Sequence, residues 1–114
     1  MIVIHHNKNC GTSRRVLAAI EEAGHEPLVV DYLAEGWTRP QLMALFAAAG
    51  LTPSEAMRKK RSPAEELGLL EEGVTDEQIL DAMLEHPSLV ERPLVASPKG
   101  VRLCRPAETV DELL

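Results

Sequence analysis

The chain has 114 residues, 45% of them apolar and only three aromatic, and carries a formal charge of −6. That length suits one compact domain and would leave two halves short of core. The acidic balance argues against nucleic acid as the main partner, and no apolar run reaches the eighteen or so residues a membrane helix needs.

Residues 42–51 form the longest apolar candidate, at about half that length. The N-terminus has no basic segment followed by a long apolar core, so no secretory signal is read. Cys10 and Cys104 are too few for a disulfide framework. Two thiols without an export signal point to the reducing cytoplasm, although counting leaves a single disulfide between them open.

In chain order, Ile2, Val3 and Ile4 predict a buried strand, followed by a loop over residues 7–11. Val16, Leu17, Ile20 and Ala23 recur at helical spacing, predicting a helix over residues 12–23 with Gly24 as its stop. Leu28, Val29 and Val30 predict a second buried strand. Together these make a βαβ unit.

Thr38 stands three residues before Gln41, and Thr75 three before Gln78, which is capping-box spacing. The first box leads a helix with Leu42, Leu45, Phe46 and Ala49 on one face; the second leads one with Ile79, Leu80, Met83 and Leu84, closed by Pro87. Residues 53–73 read as short helical pieces and loops. Leu94, Val95 and Ala96, then Val101 to Cys104, flank the turn Ser97-Pro98-Lys99-Gly100 and predict a hairpin. Residues 106–114 predict a last short helix. No repeat, low-complexity tract or linker interrupts this pattern. The fold class expected is α/β, a small mixed sheet with helices packed on it in one domain.

The chemistry concentrates in "HHNKNCGTSRR", His5 to Arg15. A cysteine at a helix start lies where backbone N–H groups lack intrahelical acceptors, which favours thiolate. A protonated His6, or Arg14 and Arg15, would add to that. Gly11 lets the backbone curl around sulfur or an anion, and the hydroxyls of Thr12 and Ser13 are further donors. Read from residues alone, Cys10 is equally a small residue beside a helix cap, with His5 and His6 solvated. Zinc held by His5, His6 and Cys10 is disfavoured, because neighbouring strand residues point to opposite faces. Ser13 stands where a thioredoxin-type pair needs its second cysteine, so a redox reaction here requires an external thiol.

The loop His6-Asn7-Lys8-Asn9-Cys10-Gly11-Thr12-Ser13-Arg14 resembles the active-site loop of the glutathione- and glutaredoxin-coupled arsenate reductases. The resemblance continues through Met57-Arg58-Lys59-Lys60, Glu65-Glu66-Leu67-Gly68-Leu69, His86-Pro87, Glu91-Arg92-Pro93-Leu94-Val95 and Arg102-Leu103-Cys104-Arg105-Pro106. It implies a thioredoxin-like fold with a helical insertion at about residues 38–87 of a single domain spanning residues 1–114. It implies Cys10 as nucleophile, His6 as the group that keeps the thiol ionised, and Ser13 near the thiolate. Arg58, Arg92 and Arg105 would hold the oxyanion, and Pro93 would be cis. Taken singly, Arg58 is part of a solvated basic run, Arg92 a loop residue, and Arg105 a partner for Glu108 or Asp111. Two departures from the family pattern are His5, where an aromatic is usual, and Arg61, which extends the basic run.

The activity so implied is reduction of arsenate to arsenite by a cytoplasmic monomer. Glutathione would be the reducing co-substrate and glutaredoxin the protein partner, with no metal and no tightly bound cofactor. The rival expectations are a glutathione-linked oxidoreductase of the same fold, or a partner-binding adaptor with little arsenate activity.

Overall fold

A computed structural model describes all 114 residues. The chain packs as two compact units, one made of Met1–Glu35 with Arg92–Leu114, the other of Gly36–Glu91. No helix is long and apolar enough to cross a membrane.

The first unit holds a four-stranded mixed sheet in the order β2-β1-β3-β4. Strand β1 (Val3–His6) pairs in parallel with β2 (Leu28–Asp31), Ile4 opposite Val29 and His6 opposite Asp31. On its other side β1 runs antiparallel to β3 (Leu94–Ser97), with Ile4 opposite Val95. Strand β3 turns back into β4 (Gly100–Leu103) through the predicted Pro98-Lys99 turn. Between β1 and β2 runs helix α1 (Gly11–Glu22), which buries Val16 and Ile20. The closing segment is a 3-10 helix, Ala107–Leu113, whose Val110 and Leu113 join Ile4, Ile20, Val95 and Cys104 in one apolar cluster.

The expectation of a buried second strand is corrected. Leu28 and Val29 are exposed, because β2 is the sheet edge and has only β1 for a neighbour. A short turn of helix, α2 (Tyr32–Glu35), follows it and buries Tyr32.

The second unit is helical: α3 (Arg39–Ala49), α4 (Pro53–Ala56), α5 (Asp76–Glu85) and a 3-10 turn at Pro87–Leu89. Both predicted capping boxes form, Thr38 with Gln41 and Thr75 with Gln78; Thr52 with Glu55 is a third. Each threonine accepts a backbone N–H that the first helical turn would otherwise leave unsatisfied. Gly50 ends α3 at a φ of 71, a left-handed conformation that a side chain would strain. Leu42, Phe46, Ile79, Leu80 and Met83 supply buried apolar surface on these helices.

Candidate active site

Strand β1 ends at His6, and four residues later Cys10 occupies the N-cap of α1. Its φ of −99 and ψ of 121 are extended, so the helix begins abruptly after it, and no side chain caps that end. The chain reaches this point through a tight turn in which Cys10 N–H donates to the Asn7 carbonyl at 3.0 Å. The first N–H groups of α1 are therefore left to face the sulfur.

Cys10 is half-buried, and burial pushes its thiol pKa up. The backbone N–H of Ser13, the guanidiniums of Arg105 and Arg92 and the N–H of Thr12 outweigh that, leaving it below the ordinary value. One Arg105 nitrogen lies 3.7 Å from Cys10 Sγ and 3.1 Å from the Arg92 carbonyl oxygen. Arg105 thus turns to the sulfur and to the Arg92 carbonyl. Both Arg92-Pro93 and Arg105-Pro106 are cis, the first as the resemblance implies.

The surroundings of the other loop residues bear on the roles expected of them. Burial lowers the His6 pKa, and the charge of Arg14 opposes the raising effect of Asp31, so neutral imidazole is favoured and not the protonated form. The Ser13 hydroxyl is fully buried and committed elsewhere, accepting Asn7 N–H at 3.1 Å and lying 2.7 Å from His6 Nδ1. What Ser13 offers the sulfur is its backbone N–H. Arg14 donates to the Lys8 carbonyl at 2.9 Å and so braces the loop, whereas Arg15 reaches Thr12 Oγ1 within α1 at 3.5 Å. Gly11 needs no special freedom here: a Cβ would meet only the end of Arg14, at 3.8 Å.

His5 is buried with Nδ1 3.0 Å from the Leu94 carbonyl, and burial holds its pKa low. Cys104 is also buried; loss of solvent pushes its thiol up to about 12, and both cysteines are free. No group of three or more His, Cys, Asp or Glu side chains is placed to hold a metal ion.

Arg58 belongs to the helical unit. It donates to Glu91 Oε1 at 2.8 Å, both side chains largely buried, while Nε is buried without a protein partner. Its backbone is held where Met57 bridges Val90 and Arg58 N–H donates to the Leu89 carbonyl at 2.7 Å. Arg39, in contrast, is spent on Glu77 and Asp81 across α3 and α5.

These features define a thioredoxin-like α/β protein with a single activated cysteine at a helix N-terminus. The sequence profile described as the ArsC family matches residues 5–113, and the chain belongs to that family. It is 66% identical to arsenate reductase ArsI2 of Synechocystis, covering all of this chain and 81% of that protein. It is 47% identical to an arsenate reductase of Escherichia coli, covering 99% of this chain and 80% of that one. Its structure resembles that of an arsenate reductase from Vibrio cholerae with a TM-score of 0.92 and 37% identity, covering 99% and 97% of the two chains.

Proposed function

We propose that this protein reduces arsenate to arsenite, with glutathione and glutaredoxin as the electron source, as a cytoplasmic monomer. The observation that carries the reading is the convergence of two backbone N–H groups, Arg92 and Arg105 on the half-buried sulfur of Cys10. Donors that stabilise a thiolate also hold an oxyanion, since both demand positive dipoles around negative charge. Membership of a family whose relatives are named arsenate reductases selects arsenate among oxyanions.

Nucleophile and substrate are both anionic. Two unit charges about 4 Å apart repel by roughly 4 kcal/mol at an effective dielectric of 20. Felt in the transition state, that is about three decades of rate. Arg92 and Arg105 offset this repulsion, and planar guanidiniums match the oxygens of a tetrahedral anion. Arg58 is assigned to the same anion on the family motif, with its partnerless Nε as the supporting feature. His6 and Ser13 act together as a neutral hydrogen-bonded pair behind the loop.

In the reaction, Cys10 thiolate bonds to arsenic and hydroxide leaves as water after taking a proton. Glutathione thiolate then bonds to the Cys10 sulfur as the sulfur–arsenic bond breaks. The electron pair of that bond stays on arsenic, which departs as As(III). Two thiols have become one mixed disulfide, which glutaredoxin reduces. Ser13, standing where a second cysteine would be needed, makes the external thiol necessary.

The test is arsenate turnover with glutathione and glutaredoxin, against a control with thioredoxin alone. Turnover in the first and little in the second is expected. Disulfide exchange with glutathione but no arsenate turnover would replace this reading with a glutathione-linked oxidoreductase.

A further inference from the structure

Asn7 opens the Cys10 loop, and its polar groups are engaged within that loop and by Tyr32. It is 5% exposed. Its side-chain oxygen accepts Asn9 N–H at 2.9 Å, an Asx turn in which the side chain imitates a peptide carbonyl. Its main-chain carbonyl accepts Cys10 N–H at 3.0 Å. Its own N–H donates to Ser13 Oγ at 3.1 Å, and Nδ2 is directed at the Tyr32 hydroxyl at 3.5 Å. Both ends of residues 10–13 are thereby tied to the main chain of one residue, Asn7: Cys10 through its amide, Ser13 through its hydroxyl.

We propose that Asn7 is the positioning residue for Cys10, its Asx turn setting where Sγ stands relative to the Thr12 and Ser13 N–H groups. The physical ground is that hydrogen bonds to sulfur weaken steeply with misalignment. A loop without regular secondary structure has to be held by such local closures. An alanine at position 7 retains both main-chain bonds in principle but loses the side-chain closure that selects the conformation making them. A serine keeps a side-chain oxygen able to accept the N–H two residues on. The inference rests on the reading of Cys10 as the reacting thiolate.

The experiment is the pH dependence of Cys10 alkylation by iodoacetamide in wild type, Asn7→Ala and Asn7→Ser, with arsenate kcat/KM and thermal unfolding measured alongside. His6, Arg92 and Arg105 are unchanged in all three. Asn7→Ala should raise the alkylation midpoint by about one pH unit. It should also lower kcat/KM by about tenfold or more, as small displacements of a reacting atom do. Asn7→Ser should recover most of both, whatever the two variants do to Tm. A folded Asn7→Ala with the wild-type midpoint overturns the inference, as does Asn7→Ser matching Asn7→Ala. Should Asn7→Ala not fold, amide exchange in the wild type decides: protected Asn9 and Cys10 N–H groups support the closure, freely exchanging ones overturn it. A wild-type midpoint at the ordinary thiol value would instead remove the thiolate reading, and the role of Asn7 with it.

Discussion

Cys10 and Cys104 carry the same functional group in opposite surroundings. The first is ringed by N–H donors and guanidiniums; the second is packed among Ile4, Val95 and Val110 with its thiol pushed up to about 12. Iodoacetamide near pH 7 should therefore label Cys10 alone, with peptide mapping as the readout. Cys10→Ser should abolish arsenate reduction, because a serine hydroxyl is not ionised at that pH. Cys104→Ser should keep most activity, with any loss following its thermal stability. Equal loss in a folded Cys104→Ser protein would require an internal disulfide in place of the external thiol. His6 is the subtler case. Since it favours the neutral form, His6→Ala should move the Cys10 alkylation midpoint only modestly, through the freed Ser13 hydroxyl. An upward shift of a full unit would restore the imidazolium role expected from sequence. Arg92→Ala and Arg105→Ala should each lower kcat/KM by on the order of 2–4 kcal/mol in transition-state stabilisation. Lysine should rescue them only in part, since it keeps the charge and loses the fork. Arg39→Ala, which removes ion pairs to Glu77 and Asp81, is the near-neutral control.

Among the elements, the helix starts are the clearest case of local sequence determining local structure. Thr38, Thr52 and Thr75 each cap a helix and are answered three residues on by Gln41, Glu55 and Gln78. Thr75→Ala should cost about 1 kcal/mol of stability, read by denaturant unfolding. Cys10 reactivity should be unchanged, since Thr75 is not among the donors that lower the Cys10 pKa. A changed alkylation profile would mean that α5 influences the thiol. Helix α1 is the contrast: its N-cap is a cysteine with no capping side-chain bond, so the donors a threonine would satisfy remain for the sulfur and its substrate. A conventional cap at position 10 would make a better helix and remove the reaction. The spacing of Val16, Leu17 and Ile20 placed that helix within a residue or so of its observed span. The strands were less legible, since three apolar residues in a row read the same at the centre of a sheet and at its edge. Leu28 and Val29 show the consequence.

For the whole molecule, pH should act on stability through the two histidines of β1. Burial lowers both pKa values below the ordinary 6.5, so between that value and the folded one the unfolded chain binds more protons. Stability should thus be fully present above about pH 6.5 and decline as pH falls below it. His5→Phe should flatten that decline in unfolding experiments, which an unchanged slope would contradict. Arg58 raises a different question, because its pairing with Glu91 gives it a structural role as well as the proposed catalytic one. Removing one partner of a largely buried ion pair destabilises by leaving the other uncompensated. Glu91→Gln and Arg58→Ala should both lower Tm. Only Arg58→Ala should lower kcat/KM to the extent expected for Arg92→Ala, and equal losses in the two would reduce Arg58 to a structural residue.

The sequence by itself determined whatever depends on near neighbours along the chain: the capped helices, the hairpin turn, and a thiol at the mouth of α1. The motif pattern nominated Arg58, Arg92 and Arg105, which no local rule distinguishes from Arg14, Arg39 or Arg102. Tertiary structure alone decided which donors reach the sulfur. Arg105 lies 95 residues from Cys10 in the chain and 3.7 Å from its sulfur, whereas Arg14 and Arg15, close in sequence, are turned to the loop and to Thr12. It also directs the Ser13 hydroxyl to His6 and the Asn7 N–H, and buries His6 so that its pKa falls below the ordinary value. The reason is the same in each case: hydrogen-bond direction and desolvation depend on how distant segments pack, and residue identity alone does not carry that information.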